Sequence, residues 1–192
     1  DWNPWYNQSN QPVMHAVYLF NNAGVPWKTQ KWVRSIMEKS YGVGPDGMVG
    51  NDDVGTMSAW YVFSAMGFYP VAPGELVYSL GSPLFDKATI HLEDGKLFTV
   101  EAKNNSLENK YIKNVQLNNK AYPYSYLKHS DIVNGGNLVF EMTDSPTNWG
   151  TSDDFIPSTE IKDHKIIPAP FIKKGDIVFK GSTVVELASV EK

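Results

Sequence analysis

Apolar residues recur along the first third of the chain at helical spacing. Val13, Ala16, Val17 and Phe20 form one such set, and Trp32, Val33, Ile36 and Met37 form a second. Met57, Trp60, Tyr61 and Ser64 form a third, at i, i+3, i+4 and i+7, which puts them on one helix face. Turn formers Asn21 to Pro26 separate the first two sets, and Gly67 followed by Pro70 ends the third. Each pattern predicts a helix. After Pro70 the period changes to two. Segments 76–80, 88–92, 97–101, 112–117 and 138–142 read as strands. Glu93-Asp94-Gly95-Lys96 is a hairpin signal, and Asn118-Asn119 and Asn134-Gly135-Gly136-Asn137 are further turns. Short, regularly spaced strands of this kind predict an antiparallel sandwich. Residues 144–158 read as a polar linker. Strand-like runs at 166–172, 176–180 and 183–187 suggest the start of a second small β-module. The expected organisation is α+β: helices over 1–74, an antiparallel β-module over 75–150, then linker and second module over 151–192.

Charge and composition change this picture little. The 192 residues carry a formal net charge of −4 and 42% hydrophobic residues, enough to bury a core. Lys and Arg are scattered rather than striped, so no nucleic-acid footprint is present. No apolar run has the length of a transmembrane helix. Without cysteine the chain has no disulfide, thiol nucleophile or cysteine-bound zinc. Asp1-Trp2-Asn3-Pro4 does not read like a natural start, so the chain is expected to be part of something longer.

The chemistry concentrates in one place. Loop 42–50, rich in glycine, delivers Asn51, Asp52 and Asp53 to the start of the third helix. Free amides and the helix dipole favour carboxylates there, whether as a cap or as an ionised base. Asn10 and Gln11, before Pro12, offer neutral side-chain oxygens that suit a hard cation such as calcium, or simply a turn. His15 reads as a hydrogen-bonded core histidine rather than a catalyst.

The run Gly50-Asn51-Asp52-Asp53-Val54-Gly55-Thr56-Met57-Ser58-Ala59-Trp60-Tyr61-Val62-Phe63-Ser64-Ala65-Met66-Gly67-Phe68-Tyr69-Pro70 resembles the signature of glycoside hydrolase family 92, calcium-dependent exo-acting α-mannosidases. A second block, Ser9-Asn10-Gln11-Pro12 with His15 and residues 18–30, is similar to another segment of the same family, in the expected order. The resemblance implies that the helices are the end of an (α/α)6 barrel. It also implies an inverting hydrolysis of terminal α-mannosides, including α-1,2 linkages. Asp53 would be the general base, with Asn51 orienting the water and Asp52 a further candidate. Gln11 would contact substrate, and Asn10, Gln11 and Asp53 would contribute to a calcium site. The general acid would lie upstream, so these residues alone would not turn over substrate. Mannose-containing glycans and the remainder of the parent enzyme would be the partners, in a periplasmic, cell-surface or secreted setting. A non-catalytic carbohydrate-binding or adhesion module, and a structural module whose acidic cluster is only a helix cap, stand as alternatives.

Overall fold

A computed structural model describes residues 4–72, 74–158, 169–176 and 178–189. The chain divides into two compact units, Asp1–Ser158 and Thr159–Lys192.

In the first unit, the expected helix over 13–20 is replaced by two short 3-10 turns, Gln11–Val13 and Ala16–Tyr18. Pro12 lies in the first of these, where it has no amide to donate, and Thr29 Oγ1 from the next helix takes the Val17 carbonyl. Helix α1 spans Pro26–Ser40 and buries Val33, Ile36 and Met37, with Trp32 half-buried beside them. Helix α2 spans Thr56–Met66 and buries Met57, Trp60 and Ser64, as its spacing predicts. It stops at Gly67, whose positive φ lets its amide reach back to the Phe63 and Ser64 carbonyls. A Cβ at that position would press on Pro83 and the Phe140 ring.

The strands follow as β1 (Phe68–Tyr69), β2 (Val77–Leu80), β3 (Lys87–His91), β4 (Leu97–Lys103), β5 (Tyr111–Leu117), β6 (Lys120–Ala121), β7 (Tyr126–Lys128) and β8 (Gly136–Thr143). Strands β1, β2 and β7 form an antiparallel sheet, and the larger sheet has the order β3-β4-β8-β5-β6. That second sheet corrects the antiparallel expectation. β4 and β8 run parallel, Phe98 facing Gly136 and Lys103 facing Glu141, so the chain must cross over between them. Short helix α3, His129–Val133, lies on that crossover and was not foreseen. Both sheets give side chains to one core: Phe68, Leu80 and Leu127 from the first, Phe98, Ile112, Leu138 and Phe140 from the second. The fold class is therefore mixed α+β.

Polar stitches join the helical part to the sheets. Asn21 donates to the carbonyls of Leu80 and Ser125, both at 2.8 Å, and Gln30 accepts the Ile112 amide at 3.0 Å. Arg34 on α1 donates to the Pro83 carbonyl, to Asn105 at 3.0 Å and to the Ser106 carbonyl at 2.5 Å. Each satisfies backbone groups that burial would otherwise leave unpaired. The segment after β8 is packed rather than a loose linker. Trp149 donates to the Tyr122 carbonyl at 3.1 Å, and the Ser125 amide donates to the Phe155 carbonyl at 2.7 Å.

In the second unit, β9 (Phe171–Lys174) and β10 (Glu186–Ala188) pair antiparallel with a register shift at Glu186/Leu187. The expected run at 176–180 forms no strand among its described residues, and the pairing part of the last run is 186–188. Residues 166–168 of the first run lie outside the described residues.

Candidate active site

The site is built where segment 6–11 lies against the chain that leads into α2. Tyr6 donates to Gln8 Oε1 at 2.6 Å, Gln8 Nε2 donates to the Tyr41 hydroxyl at 2.8 Å, and that hydroxyl donates to the Met57 carbonyl at 3.1 Å. Gln8, only 3% exposed, thus has both ends of its amide satisfied. Tyr41 also stacks on Trp60, with centroids 5.8 Å apart and rings 6° from parallel. Burial pushes the Tyr41 phenol well above its usual range; the Gln8 hydrogen bond opposes that rise and the nearby Asp52 charge adds to it. Tyr41 therefore stays a neutral donor.

Two further contacts bring the two motif segments together. Gln11 Nε2 donates to the Asn51 carbonyl at 3.0 Å. Gly50 lies so close to Ser9 that an added Cβ would fall 2.5 Å from the Ser9 Cβ. Only glycine leaves room there for the loops to touch. Gln11 and Asn51 are thus neighbours. Asn10 is exposed, with its backbone ordered by the Asn7 and Val13 turns, and its side chain makes no cap contact. His15 is half-buried, immediately before the second 3-10 turn.

The acidic pair divides sharply. The Asp52 carboxylate accepts the Ser58 amide on one oxygen and the Ser58 hydroxyl on the other, both at 2.8 Å, and its carbonyl accepts the Met57 amide. The amide and then the hydroxyl of Ser58 hold its carboxyl below the ordinary aspartate value. The N-cap position itself is Gly55, which has no side chain to offer, so Asp52 takes over the capping task from three residues upstream. Asp53 is different. Its carbonyl accepts both the Thr56 amide at 3.3 Å and the Thr56 hydroxyl at 2.7 Å, but no hydrogen bond or ion pair engages its exposed carboxylate among the described residues. Its backbone has φ 47°, and Val54 follows at φ 61° and Gly55 at 86°. All three lie at positive φ, and two of them carry side chains that generally avoid that region.

Calcium takes about six to eight oxygen ligands. No group of three His, Cys, Asp or Glu side chains gathers anywhere among the described residues. Gln11, whose Nε2 donates to the Asn51 carbonyl, keeps a neutral Oε1 at the edge of the Asp53 turn. A neutral amide oxygen is a donor type that calcium accepts. The identity of Ser58, Gln8 and Tyr41 as supports was not read from sequence. A serine in the first turn of a helix is a weak signal for the first, and no local signal marks the other two.

Solved structures of glycosidases resemble this chain in fold and sequence. One, a family GH92 α-mannosidase from Bacteroides thetaiotaomicron, is 43% identical with a TM-score of 0.77 over 80% of this chain and 21% of its own. Another from that species, a family GH92 inverting mannosidase, is 47% identical with a TM-score of 0.74 over 78% of this chain and 20% of its own. An uncharacterized secreted glycosidase of Arthroderma benhamiae is 33% identical over 151 residues, 77% of this chain and 20% of that protein. These relatives define the class, glycoside hydrolases. The chain belongs to glycosyl hydrolase family 92, whose catalytic-domain profile matches residues 2–144. It spans about one fifth of the length of these relatives. No helix among the described residues is long and apolar enough to cross a membrane.

Proposed function

We propose that this chain carries the general-base loop of an inverting, exo-acting α-mannosidase, and that Asp53 is the base. The observation that carries this reading is the division between the two aspartates: Asp52 is consumed as a helix cap, whereas the Asp53 carboxylate is exposed and unengaged on a strained turn. Backbone strain of this kind persists only where surrounding contacts enforce it, and it collects at active sites. In an inverting site the base removes a proton from the water that attacks the anomeric carbon, while an acid across a gap of about 6.5–9.5 Å protonates the departing oxygen. Neighbouring aspartates cannot bracket a glycosidic bond, so the acid comes from another part of the enzyme. Asn51, whose carbonyl accepts from Gln11, orients that water in this reading. Gln11 contacts the sugar.

Helices α1 and α2 belong, in this reading, to an (α/α)6 barrel, and the enzyme acts on terminal α-mannosides of glycans, α-1,2 linkages among them. Likeness to a secreted glycosidase supports a periplasmic, cell-surface or secreted setting. Asn10, Gln11 and Asp53 would hold calcium, which when bound supplies electrostatic hold on the sugar hydroxyls. In the full-length enzyme, Asn10→Ala should raise the calcium concentration needed for half-maximal activity, because it removes a neutral oxygen. The stereochemical test is NMR of the first mannose released from α-1,2-mannobiose. The β-anomer supports the reading, and initial release of the α-anomer overturns it.

A further inference from the structure

The turn that carries Asp53 is stranger than a loop needs to be. Val54 sits at φ 61°, a conformation in which a β-branched side chain is a true outlier. Its side chain is also fully exposed, at 108% of the reference area, so no burial offsets the strain. Glycine or asparagine would occupy this backbone region with far less penalty.

Local contacts hold the turn in place from both sides. Upstream, Asp52 is fastened to Ser58 through two hydrogen bonds. Downstream, the Asp53 carbonyl accepts from the Thr56 amide and hydroxyl, and the Gly55 carbonyl accepts the Ala59 amide at 2.8 Å. These contacts need no specific residue at 54. What a valine adds is narrowness. Two branches on Cβ crowd the backbone, so the left-handed well open to it is small, whereas glycine roams widely there.

We propose that Val54 is a positioning residue whose forced left-handed backbone limits the directions in which the neighbouring Asp53 carboxylate points. This inference rests on Asp53 acting as the base. A base displaced by about 1 Å can lose on the order of 100-fold in rate, so stiffness one residue away has a place to act. The turn thus gives up stability for aim.

The signature is a variant that gains stability and loses turnover. Val54→Asn relieves the strain, because asparagine tolerates positive φ, but lacks the second Cβ branch. It should raise the thermal midpoint of the 192-residue chain by about 2–4 °C. In the full-length enzyme it should cut kcat on an aryl α-mannoside by roughly 10-fold with KM within about twofold, since only the transition state needs the aimed base. Val54→Ile keeps the branch and should retain both the wild-type midpoint and kcat. A Val54→Asn variant with wild-type kcat, or with a lowered midpoint, would overturn the proposal, as would an inactive Val54→Ile. Failure of the underlying reading shows separately, as wild-type turnover by Asp53→Ala, and leaves the midpoint comparison intact.

Discussion

Two acidic turns in this molecule look alike on paper. Glu93-Asp94-Gly95-Lys96 joins β3 to β4, and Asn51-Asp52-Asp53-Val54-Gly55 leads into α2. In the hairpin the positive φ falls on glycine and the aspartate is held locally. Gly95 takes the positive φ, the Asp94 carboxylate accepts the Lys96 amide at 3.1 Å, and it also pairs with the Lys96 ammonium. In the second turn one aspartate is likewise satisfied, by Ser58. The positive φ, however, falls on Asp53 and Val54 before it reaches Gly55, and the Asp53 carboxylate is left unengaged. The first turn is explained by folding alone. The second keeps a strained backbone, which folding alone would not select.

Mutation separates the two turns most strongly at their aspartates. In the full-length enzyme Asp53→Ala should lower turnover between about 100- and 10,000-fold, the usual worth of a positioned acid–base group, with circular dichroism unchanged. Asp94→Ala should leave kcat and KM at wild-type values, because Asp94 serves only its hairpin. Equal losses from the two variants, or none from either, would erase the distinction.

A smaller effect tests the feature they share. Folding depresses the pKa of both Asp52 and Asp94 below the ordinary 3.8, Asp52 through Ser58 and Asp94 through Lys96. A depressed carboxylate contributes its stability in full above the unfolded value and loses it as the pH falls through the folded one. Ser58→Ala and Asp94→Asn should therefore each lower the thermal midpoint of the chain at pH 7, and the gap to wild type should close below about pH 4. Melting curves from pH 2 to 7 check this. A gap that persists undiminished at pH 2 would mean that the carboxylate contacts are not its source.

Much of this was legible in the sequence because periodicity is a local property. The α2 stripe of Met57, Trp60 and Ser64, its stop at Gly67, and β4, β5 and β8 all lie within a residue or two of expectation. What was not legible depends on distant partners. Pairing β4 with β8 in parallel rests on contacts nearly forty residues apart, and a strand's own pattern does not state its direction. The helix expected over 13–20 gave way to 3-10 turns beside buried Tyr18, which stacks on Tyr69 and bonds Ser64 at 2.8 Å. Tertiary contact overrode local period there. At the site, the resemblance already set Asp53 apart as the base, with Asn51 orienting water and Asp52 a further candidate. The sequence does not state that Ser58 reaches back six residues to hold Asp52, or that φ is positive at 53 and 54.

The central claim is that Asp53 is the base of an inverting site. Its most direct test adds azide to the full-length Asp53→Ala enzyme with an activated aryl α-mannoside. A site that has lost only its base can admit a small anion where the attacking water stood, on the face opposite the leaving group. The account predicts restored consumption of substrate and a β-mannosyl azide as product. An α-configured azide would show attack from the leaving-group face and would contradict the role assigned to Asp53.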